Sequence, residues 1–240
     1  GGKNPNIIMS DADLKIAIPG VIDGMRYTRQ GQACTAGSRV YIHEKIYDKV
    51  LDGAVEKLSK LKMGNALDEN SDIGAIISEE QLNRTLYYMD IAKKNSSTKI
   101  LHGGNQSKGG EYKDGFYYQP TLLSGLPVSS PVCQEEVFGP VACAIPFKNF
   151  DEVMKSANDT QFGLSAVLWT KDLSRALQFV DEIEAGFVQV NQCVAPRANV
   201  SYGGIKMSGL GKEYAFDSMM NHFTQSKTVL INRGKSNIDN

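Results

Sequence analysis

The stretch "GPVACAIPFKNFDEVMKSANDTQFGLSAVLWTKDLSRALQFVDEIEAGFVQVN" (residues 139–191) alternates short apolar segments with amphipathic ones. Its apolar segments GPVACAIPF, LSAVLWT and FVQVN are rich in β-branched and aromatic residues, which predicts strands. Between them, FDEVMKSANDT and DLSRALQFVDEIEAG carry apolar residues at helical spacing, which predicts helices. Helices between strands are the crossovers that parallel strands require. The stretch therefore predicts an α/β fold with a largely parallel sheet and flanking helices.

The alternation of helices and strands extends toward the amino terminus. Asp11 or Asp13 is predicted to cap a helix over LKIAIPGVIDGMRYT, which Pro19 and Gly20 should bend. Further predicted elements are the strand RVYIH, a helix in EKIYDKVLDGAVEKLSKLKMG that stops at Gly64, a helix in SEEQLNRTLYYMDIAKKN behind the capping box Ser78–Gln81, and the strands TKILHGG and GFYYQPTLL.

The carboxyl-terminal part ends with three further predicted segments. A glycine-rich loop, SYGGIKMSGLGKE, precedes a last helix and a closing strand, TQSKTVLIN (224–232). The sequence has no internal repeat, low-complexity segment or linker that would divide it. We therefore predict a single α/β domain.

The composition is that of a globular protein, and it argues against two kinds of partner. The 240 residues are 41% hydrophobic and 22% charged, with 26 Lys and Arg against 27 Asp and Glu. This balance gives no support to binding of nucleic acid or of a membrane surface, and no long apolar run predicts a transmembrane segment. The scattered cysteines predict neither a disulfide framework nor a metal site, which favours a reducing, cytoplasmic location. They are Cys34, Cys133, Cys143 and Cys193.

Cys34 lies in RQGQACTAGSR (29–39), among small residues and between two arginines. Small neighbours leave room around a sulfur, as a nucleophile requires, but they also suit a tight loop. A free cysteine is usually a buried apolar residue, whereas reactivity requires a thiolate, which positive charge favours. Arg29 and Arg39 flank the loop in sequence, which does not establish that they lie near the sulfur. By its local sequence, Cys34 is either a structural residue or a nucleophile.

Two other kinds of site find little support in the sequence. The spacing of His43, His102 and His222 indicates no Cys–His dyad, so these residues are predicted to be structural or surface residues. The glycine-rich loop lacks the third glycine of a dinucleotide-binding loop, and it is not a Gly-x4-Gly-Lys-Ser/Thr loop either. No glycine fingerprint follows a strand, so the sequence predicts no complete dinucleotide-binding fold.

The stretch CQEEVFGPV (133–141) suggests a site for a ring-shaped ligand. Adjacent acids are usually just solvated. Glu136 and Phe138, however, are two positions apart, so an extended backbone would present both side chains on one side. Together, a carboxylate and an aromatic ring would hold a hydroxylated ring ligand by hydrogen bonding and stacking.

Five motifs follow one another along the chain: GQxCxAGSR at 31–39, EEVFGPV at 135–141, NDTQFGLSAVLWTKD at 158–172, GFVQVN at 186–191 and YGGIKMSGLGKE at 202–213. In this order and spacing they resemble the catalytic domain of the aldehyde dehydrogenase superfamily. The resemblance extends from Gly1 to about Ile231, nearly the whole chain. It implies an enzyme that oxidises an aldehyde to a carboxylic acid with NAD or NADP.

The resemblance also implies roles for individual residues. Cys34 would be the nucleophile that forms a thiohemiacetal and then a thioester, and its backbone N–H would be one oxyanion donor. Glu136 would bind the ribose hydroxyls next to the nicotinamide, and Phe138 would pack by the nicotinamide ring. Gln81 and Arg84 match helix positions that approach the cofactor riboses. No metal is implied.

A larger protein is implied as well. Residues 1–223 would form the catalytic domain, and residues 224–240 a closing strand and tail by which family members join a neighbouring subunit's sheet. A homo-oligomer, dimer or tetramer, is therefore expected. In this family a general-base Glu normally precedes GGK, and the Rossmann domain and an oxyanion Asn lie upstream, whereas this sequence starts at GGK. We expect the 240 residues alone to be inactive, because loss of a general base costs ~10²–10⁴ in rate.

Two alternative functions remain open at the level of sequence. One is a stand-alone esterase or acyl-transfer module that uses Cys34; turnover that survives Cys34→Ser would exclude that source. The other is a structural or interaction module without catalysis. The intact GQxC and EEVF motifs weigh against this second alternative, although a module descended from an enzyme would also carry them.

Overall fold

A computed structural model describes residues 1–232 as an α/β fold. The helices are α1 Leu14–Met25, α2 Tyr47–Ser59, α3 Glu79–Lys94, α4 Pro131–Gln134, α5 Phe150–Asn158, α6 Leu173–Glu182 and α7 Phe216–Phe223. The strands are β1 Pro5–Ile8, β2 Arg39–His43, β3 Lys99–His102, β4 Thr121–Ser124, β5 Val141–Phe147, β6 Phe162–Gly163, β7 Ser165–Trp169, β8 Phe187–Val190 and β9 Ile205–Lys206.

The main sheet of the described residues has seven strands in the order β3-β4-β5-β2-β1-β7-β8. Every neighbouring pair is parallel except β3 and β4, which are antiparallel. In a second, small sheet, β6 pairs antiparallel with β9. Strand β9 lies inside the glycine-rich loop. The largely parallel sheet that the alternating segments predict is confirmed.

Helices cover both faces of this sheet, because strand residues alternate between them. In β5, Val141, Cys143 and Ile145 pack into the cluster that contains buried residues of α3, α4, α5 and α6. Ala142 and Ala144 face the other way, into the cluster of α1 and α2. Burial on both faces explains why the strands read as continuous apolar runs rather than as alternating ones. No helix in residues 1–232 has the length and apolar character needed to cross a bilayer.

Polar side chains begin the helices where the sequence predicts caps. Asp13 accepts a hydrogen bond from Lys15 N–H at the start of α1, and Ser78 accepts one from Gln81 N–H at the start of α3. Asp11, the other candidate cap, instead accepts hydrogen bonds from the Thr170 hydroxyl and from the backbone N–H groups of Lys171 and Asp172. Helix α1 runs through Pro19 as one helix, from Leu14 to Met25.

Two predicted boundaries are wrong. Helix α2 ends at Ser59 rather than at Gly64, because the segment after it hydrogen-bonds elsewhere: Gly64 N–H donates to the carbonyl of Ile73. In GFYYQPTLL only the end belongs to a strand, β4. The residues before it form isolated bridges, and Pro120 has no N–H with which to continue a ladder.

The predicted closing strand over residues 224–232 does not form within this chain. The segment carries no regular secondary structure, and Val229, Leu230 and Ile231 are 62%, 92% and 79% exposed. A strand needs a hydrogen-bonded neighbour, and this segment belongs to neither sheet in the part of the chain that the structure describes. The rest of the predicted tail, residues 233–240, lies outside the described residues.

Candidate active site

The candidate site lies at the amino ends of the parallel strands. Four segments meet there because each immediately precedes a strand of the sheet: residues 1–4 before β1, residues 34–38 before β2, residues 136–140 before β5, and Leu164 before β7. In open α/β sheets, ligands usually bind at the carboxyl ends of the strands. This chain places its chemistry at the opposite edge.

Cys34 lies in a turn that contacts residues 1–4. Its thiol is exposed. The side-chain amide of Asn4 donates to the carbonyls of Cys34 at 2.8 Å and of Ala36 at 2.9 Å. A Cβ on Gly2 would lie 2.4 Å from the Cys34 carbonyl oxygen, so only glycine allows this close approach. Within residues 1–232, the backbone N–H of Cys34 makes no hydrogen bond.

Of the two arginines that flank Cys34 in sequence, Arg39 is directed away from it. Its guanidinium is fully buried and donates to the carbonyls of Lys3, Ser156 and Ala157 and to the hydroxyl of Tyr41. The Ser156 and Ala157 carbonyls belong to the carboxyl-terminal end of α5, where a cation is favoured. Arg39 therefore fastens this edge of the sheet together and supplies no charge to the thiol.

The Cys34 thiol faces a cavity of about 300 Å³. Its sulfur lies 3.2 Å from the hydroxyl oxygen of Tyr202, from the glycine-rich loop. Leu164 and Leu210 contribute apolar walls, and Glu213 lies at the rim. A small organic molecule in this cavity would have the sulfur within reach.

Glu136 and Phe138 meet the Cys34 segment from the other side. The Glu136 carboxylate accepts a hydrogen bond from Gly2 N–H at 2.9 Å. Gly2 in turn lies against the carbonyl of Cys34. The extended run that would present both side chains on one side is broken, because Phe138 adopts a left-handed φ of 55°. Both side chains are half-buried.

Helix α3 grips the backbone of this acidic segment. The Gln81 side-chain amide donates to the carbonyls of Val137 at 3.0 Å and Phe138 at 2.8 Å. One turn on, the Arg84 guanidinium donates to the carbonyl of Glu136 at 2.6 Å. These contacts give Gln81 and Arg84 a role in holding the segment, whereas their implied approach to cofactor riboses stays a prediction.

A third residue of α3 extends this grip to Glu135. The Tyr88 hydroxyl donates to the Glu135 carboxylate at 2.7 Å, and burial together with this hydrogen bond raises the pKa of Tyr88 to about 12. The Arg84 guanidinium lies 5.2 Å from the centre of the Tyr88 ring. Residues 81, 84 and 88 lie on one face of the helix and bind successive residues of the segment.

The side chains of segment 136–138 are of the kinds that suit one end of a nicotinamide dinucleotide. The Glu136 carboxylate only accepts hydrogen bonds, and ribose hydroxyls donate them. A Cβ on Gly1 would lie 2.4 Å from the Oε2 atom of Glu136, so glycine leaves open the space beside that oxygen. The Phe138 ring is two residues away and partly exposed. These residues would hold the nicotinamide ribose and ring.

The remaining candidate residues lie elsewhere. His43 accepts from Lys45 N–H, His102 pairs with the Pro120 carbonyl, and His222 lies near Gly211. Burial raises the pKa of the Cys193 thiol, which packs against Gly24 on the other side of the Cys34 turn. In residues 1–232, no three His, Cys, Asp or Glu side chains are grouped as metal ligands would be.

Sequence reasoning missed three residues of the site, namely Asn4, Tyr88 and Tyr202. Asn4 directly follows the GGK sequence, and Tyr202 begins the motif YGGIKMSGLGKE. Both therefore stand in stretches that carry the family resemblance. Tyr88 lies seven positions after Gln81 on the predicted helix, and this spacing was the only signal for it.

Comparisons with known proteins identify the family of the chain. The family model that matches, over residues 1–229, is described as the aldehyde dehydrogenase family. An aldehyde dehydrogenase of Rhodospirillum rubrum is 38% identical over 237 residues, which are 96% of this chain and 46% of that protein. A betaine aldehyde dehydrogenase of Brucella melitensis is 36% identical, covering 98% of this chain and 48% of its own.

Solved structures match in the same way. The NAD+ complex of an aldehyde dehydrogenase from Bacillus cereus superposes with a TM-score of 0.91 and 34% identity, over 98% of this chain and 46% of that one. A betaine aldehyde dehydrogenase from Staphylococcus aureus, also with NAD+, gives a TM-score of 0.88 and 34% identity over 92% and 43%. The chain spans about half the length of the relatives it matches.

Proposed function

The chain belongs to the aldehyde dehydrogenase family, and we propose that it is the catalytic domain of an NAD(P)-dependent enzyme that oxidises an aldehyde to a carboxylic acid. Residues 1–223 form that domain, and residues 224–240 form an oligomerisation strand and tail. The observation that carries the proposal is the exposed Cys34 thiol at a cavity, next to the segment that holds Glu136 and Phe138.

Cys34 acts as the nucleophile. Its thiolate adds to the carbonyl carbon of an aldehyde in the cavity, and the electron pair of the C=O bond moves to the oxygen. That oxyanion accepts a hydrogen bond from the unpaired N–H of Cys34, and such a donor is worth ~3 kcal/mol. The chemistry that NAD(P)+ supplies when bound is acceptance of a hydride from the carbon attached to the sulfur, which leaves a thioester. Water hydrolyses the thioester to the carboxylic acid and frees the thiol.

The segment 136–138 orients the nicotinamide end of the cofactor. Glu136 accepts hydrogen bonds from ribose hydroxyls, and Phe138 packs beside the ring. Gln81 and Arg84 fix the backbone that carries these two side chains, and they would also approach the riboses. The matched aldehyde dehydrogenases of Bacillus cereus and Staphylococcus aureus are complexes with NAD+, which supports a nicotinamide dinucleotide as the cofactor.

The complete enzyme needs more than these 240 residues. The chain covers 46–48% of its relatives' length, and we propose that the rest of the family fold supplies the main cofactor platform and the general base. Exposed apolar residues at 229–231 support assembly into a homo-oligomer, a dimer or tetramer. The unpaired cysteines support a cytoplasmic location.

Formation of NADH or NADPH tests this proposal. The full product of the gene is assayed with a panel of aliphatic and aromatic aldehydes and NAD+ or NADP+, beside its Cys34→Ser variant and beside residues 1–240 alone. We expect turnover only by the full, unsubstituted protein. Robust turnover by residues 1–240 would contradict the domain assignment, and turnover by the Cys34→Ser variant would contradict the assigned nucleophile.

A further inference from the structure

Tyr202 is held rigidly next to the sulfur of Cys34. Its ring makes edge contacts with the rings of Phe187 and Tyr214, with centroids 5.6 Å apart in both cases. Its backbone exchanges hydrogen bonds with Glu213, at 2.9 and 2.7 Å. With ring and backbone both fixed, the hydroxyl oxygen stands 3.2 Å from the Cys34 Sγ, 168 positions away in sequence.

We propose that the Tyr202 hydroxyl donates a hydrogen bond to the Cys34 thiolate and thereby holds the sulfur charged and directed toward the cavity. This inference rests on the proposed function, in which Cys34 is the nucleophile. Within residues 1–232, Cys34 is the hydroxyl's hydrogen-bond partner. The hydroxyl therefore has no competing acceptor in the described chain.

The direction of the hydrogen bond follows from the protonation states. Burial raises the pKa of Tyr202, and the hydrogen bond with Cys34 raises it further. The phenol therefore keeps its proton from pH 6 to about 10. A thiolate has no proton to give, so Tyr202 is the donor and the sulfur the acceptor.

This hydrogen bond has opposite effects on the two factors that set the reactivity of a thiol. It favours the thiolate, so more of the cysteine is charged at neutral pH. It also withdraws electron density from the sulfur, so each thiolate is a weaker nucleophile. At neutral pH the first effect is larger, since intrinsic nucleophilicity changes by only about half as much as the ionisation does.

Alkylation of Cys34 by iodoacetamide across pH 6 to 10 tests the proposal in the full gene product, with the Cys34 peptide quantified by mass spectrometry. Removing the hydroxyl with Tyr202→Phe keeps the ring and its contacts. We expect this variant to react about three- to tenfold more slowly at pH 7 and at least as fast as the unsubstituted protein at the high-pH plateau. The two pH–rate curves should therefore cross.

Matched controls isolate the hydroxyl. The titratable groups around the pair are Tyr214 and Glu213. Tyr214→Phe removes a neighbouring hydroxyl that does not touch the sulfur, and Glu213→Gln removes the neighbouring charge. Both should leave the Cys34 alkylation curve within twofold of the unsubstituted protein. Cys193, which packs against Gly24, serves as the internal reference.

The outcomes separate this inference from the proposed function. Curves that superimpose, or a Tyr202→Phe curve lowered by the same factor at every pH, would overturn the hydrogen bond, because a steric effect does not depend on pH. That result would leave the assigned nucleophile standing, since the Cys34→Ser assay of NADH formation tests it separately. A crossing of the curves together with full activity in Cys34→Ser would support the hydrogen bond and refute the nucleophile.

Discussion

At the residue scale, a buried arginine does more for this site than its sequence position suggests. Arg39 stands at the end of the Cys34 motif, where a positive charge would be expected to activate the thiol. Instead three of its four hydrogen bonds tie the start of β2 to Lys3 and to the end of α5, and the fourth goes to the Tyr41 hydroxyl. Its contribution to the site is the fixed placement of the two segments that meet there.

Replacing this arginine should therefore destabilise the fold. We predict that Arg39→Met lowers the free energy of unfolding by about 3–5 kcal/mol, because three backbone carbonyls lose a buried donor. Urea denaturation followed by circular dichroism measures the change. Arg29→Met, an exposed arginine on the other side of Cys34, is the control and should be neutral within about 0.5 kcal/mol. A loss below 1 kcal/mol for Arg39→Met would contradict this role.

The sequence could identify residues whose chemistry is local, and it missed those whose role depends on distant partners. Cys34 and Glu136 stand in short motifs, so they could be predicted. Tyr202 meets Cys34 across 168 positions, and Asn4, just before β1, reaches Ala36 in the segment before β2. No periodicity or spacing encodes such pairs, since only the sheet order brings them together.

At the element scale, helix α3 is a clamp on the segment 135–138. Three of its side chains, at positions 81, 84 and 88, bind successive residues of that segment. The segment needs such support because Phe138 has a left-handed backbone, which is unfavourable for a bulky residue. The clamp places the Glu136 carboxylate next to the Cys34 turn.

Cutting the clamp should loosen this segment before any cofactor binds. We predict that Gln81→Ala speeds hydrogen–deuterium exchange of the amides of residues 136–139 in the cofactor-free protein and raises the KM for NAD+ by about three- to tenfold. Glu80→Gln, an exposed neighbour on the same helix, should change neither. Unchanged exchange with a raised KM would show that Gln81 acts by touching the cofactor instead.

Sequence patterns predicted most elements and failed at particular ends. The caps Asp13 and Ser78 are local signals, and both begin helices as predicted. The end of α2 could not be predicted, since the residues after Ser59 leave the helix to pair with a loop at Ile73. A strand over residues 224–232 is absent from the single chain and stays a prediction for the assembled protein, because a strand depends on a neighbour that its own sequence does not specify.

At the scale of the whole molecule, two features stand out: the edge of the sheet at which the site lies, and the exposed carboxyl-terminal segment. The site lies at the amino ends of the strands, built from segments that precede β1, β2, β5 and β7. The segment 229–231 exposes three apolar side chains in a row, which a soluble protein seldom does without a partner.

Charges in this segment should weaken assembly. We predict that Val229→Lys combined with Ile231→Lys converts the oligomer of the full gene product into smaller species, because lysines disfavour a strand's addition to another sheet. Sedimentation velocity measures the change. Leu67→Lys, 93% exposed in a distant loop, is the control and should not alter the sedimentation coefficient. An unchanged oligomer in the double variant would contradict the assigned role of residues 224–232.

The most direct test of the account is to look for the acyl group on Cys34. The full gene product is mixed with an aldehyde that it oxidises and NAD+ or NADP+, quenched in acid within milliseconds to seconds, and digested for mass spectrometry. We predict that the peptide containing Cys34 carries the acyl group of that aldehyde, that Cys133, Cys143 and Cys193 do not, and that Cys34→Ser shows neither adduct nor turnover. Turnover without an adduct on Cys34, persisting in Cys34→Ser, would contradict the central claim.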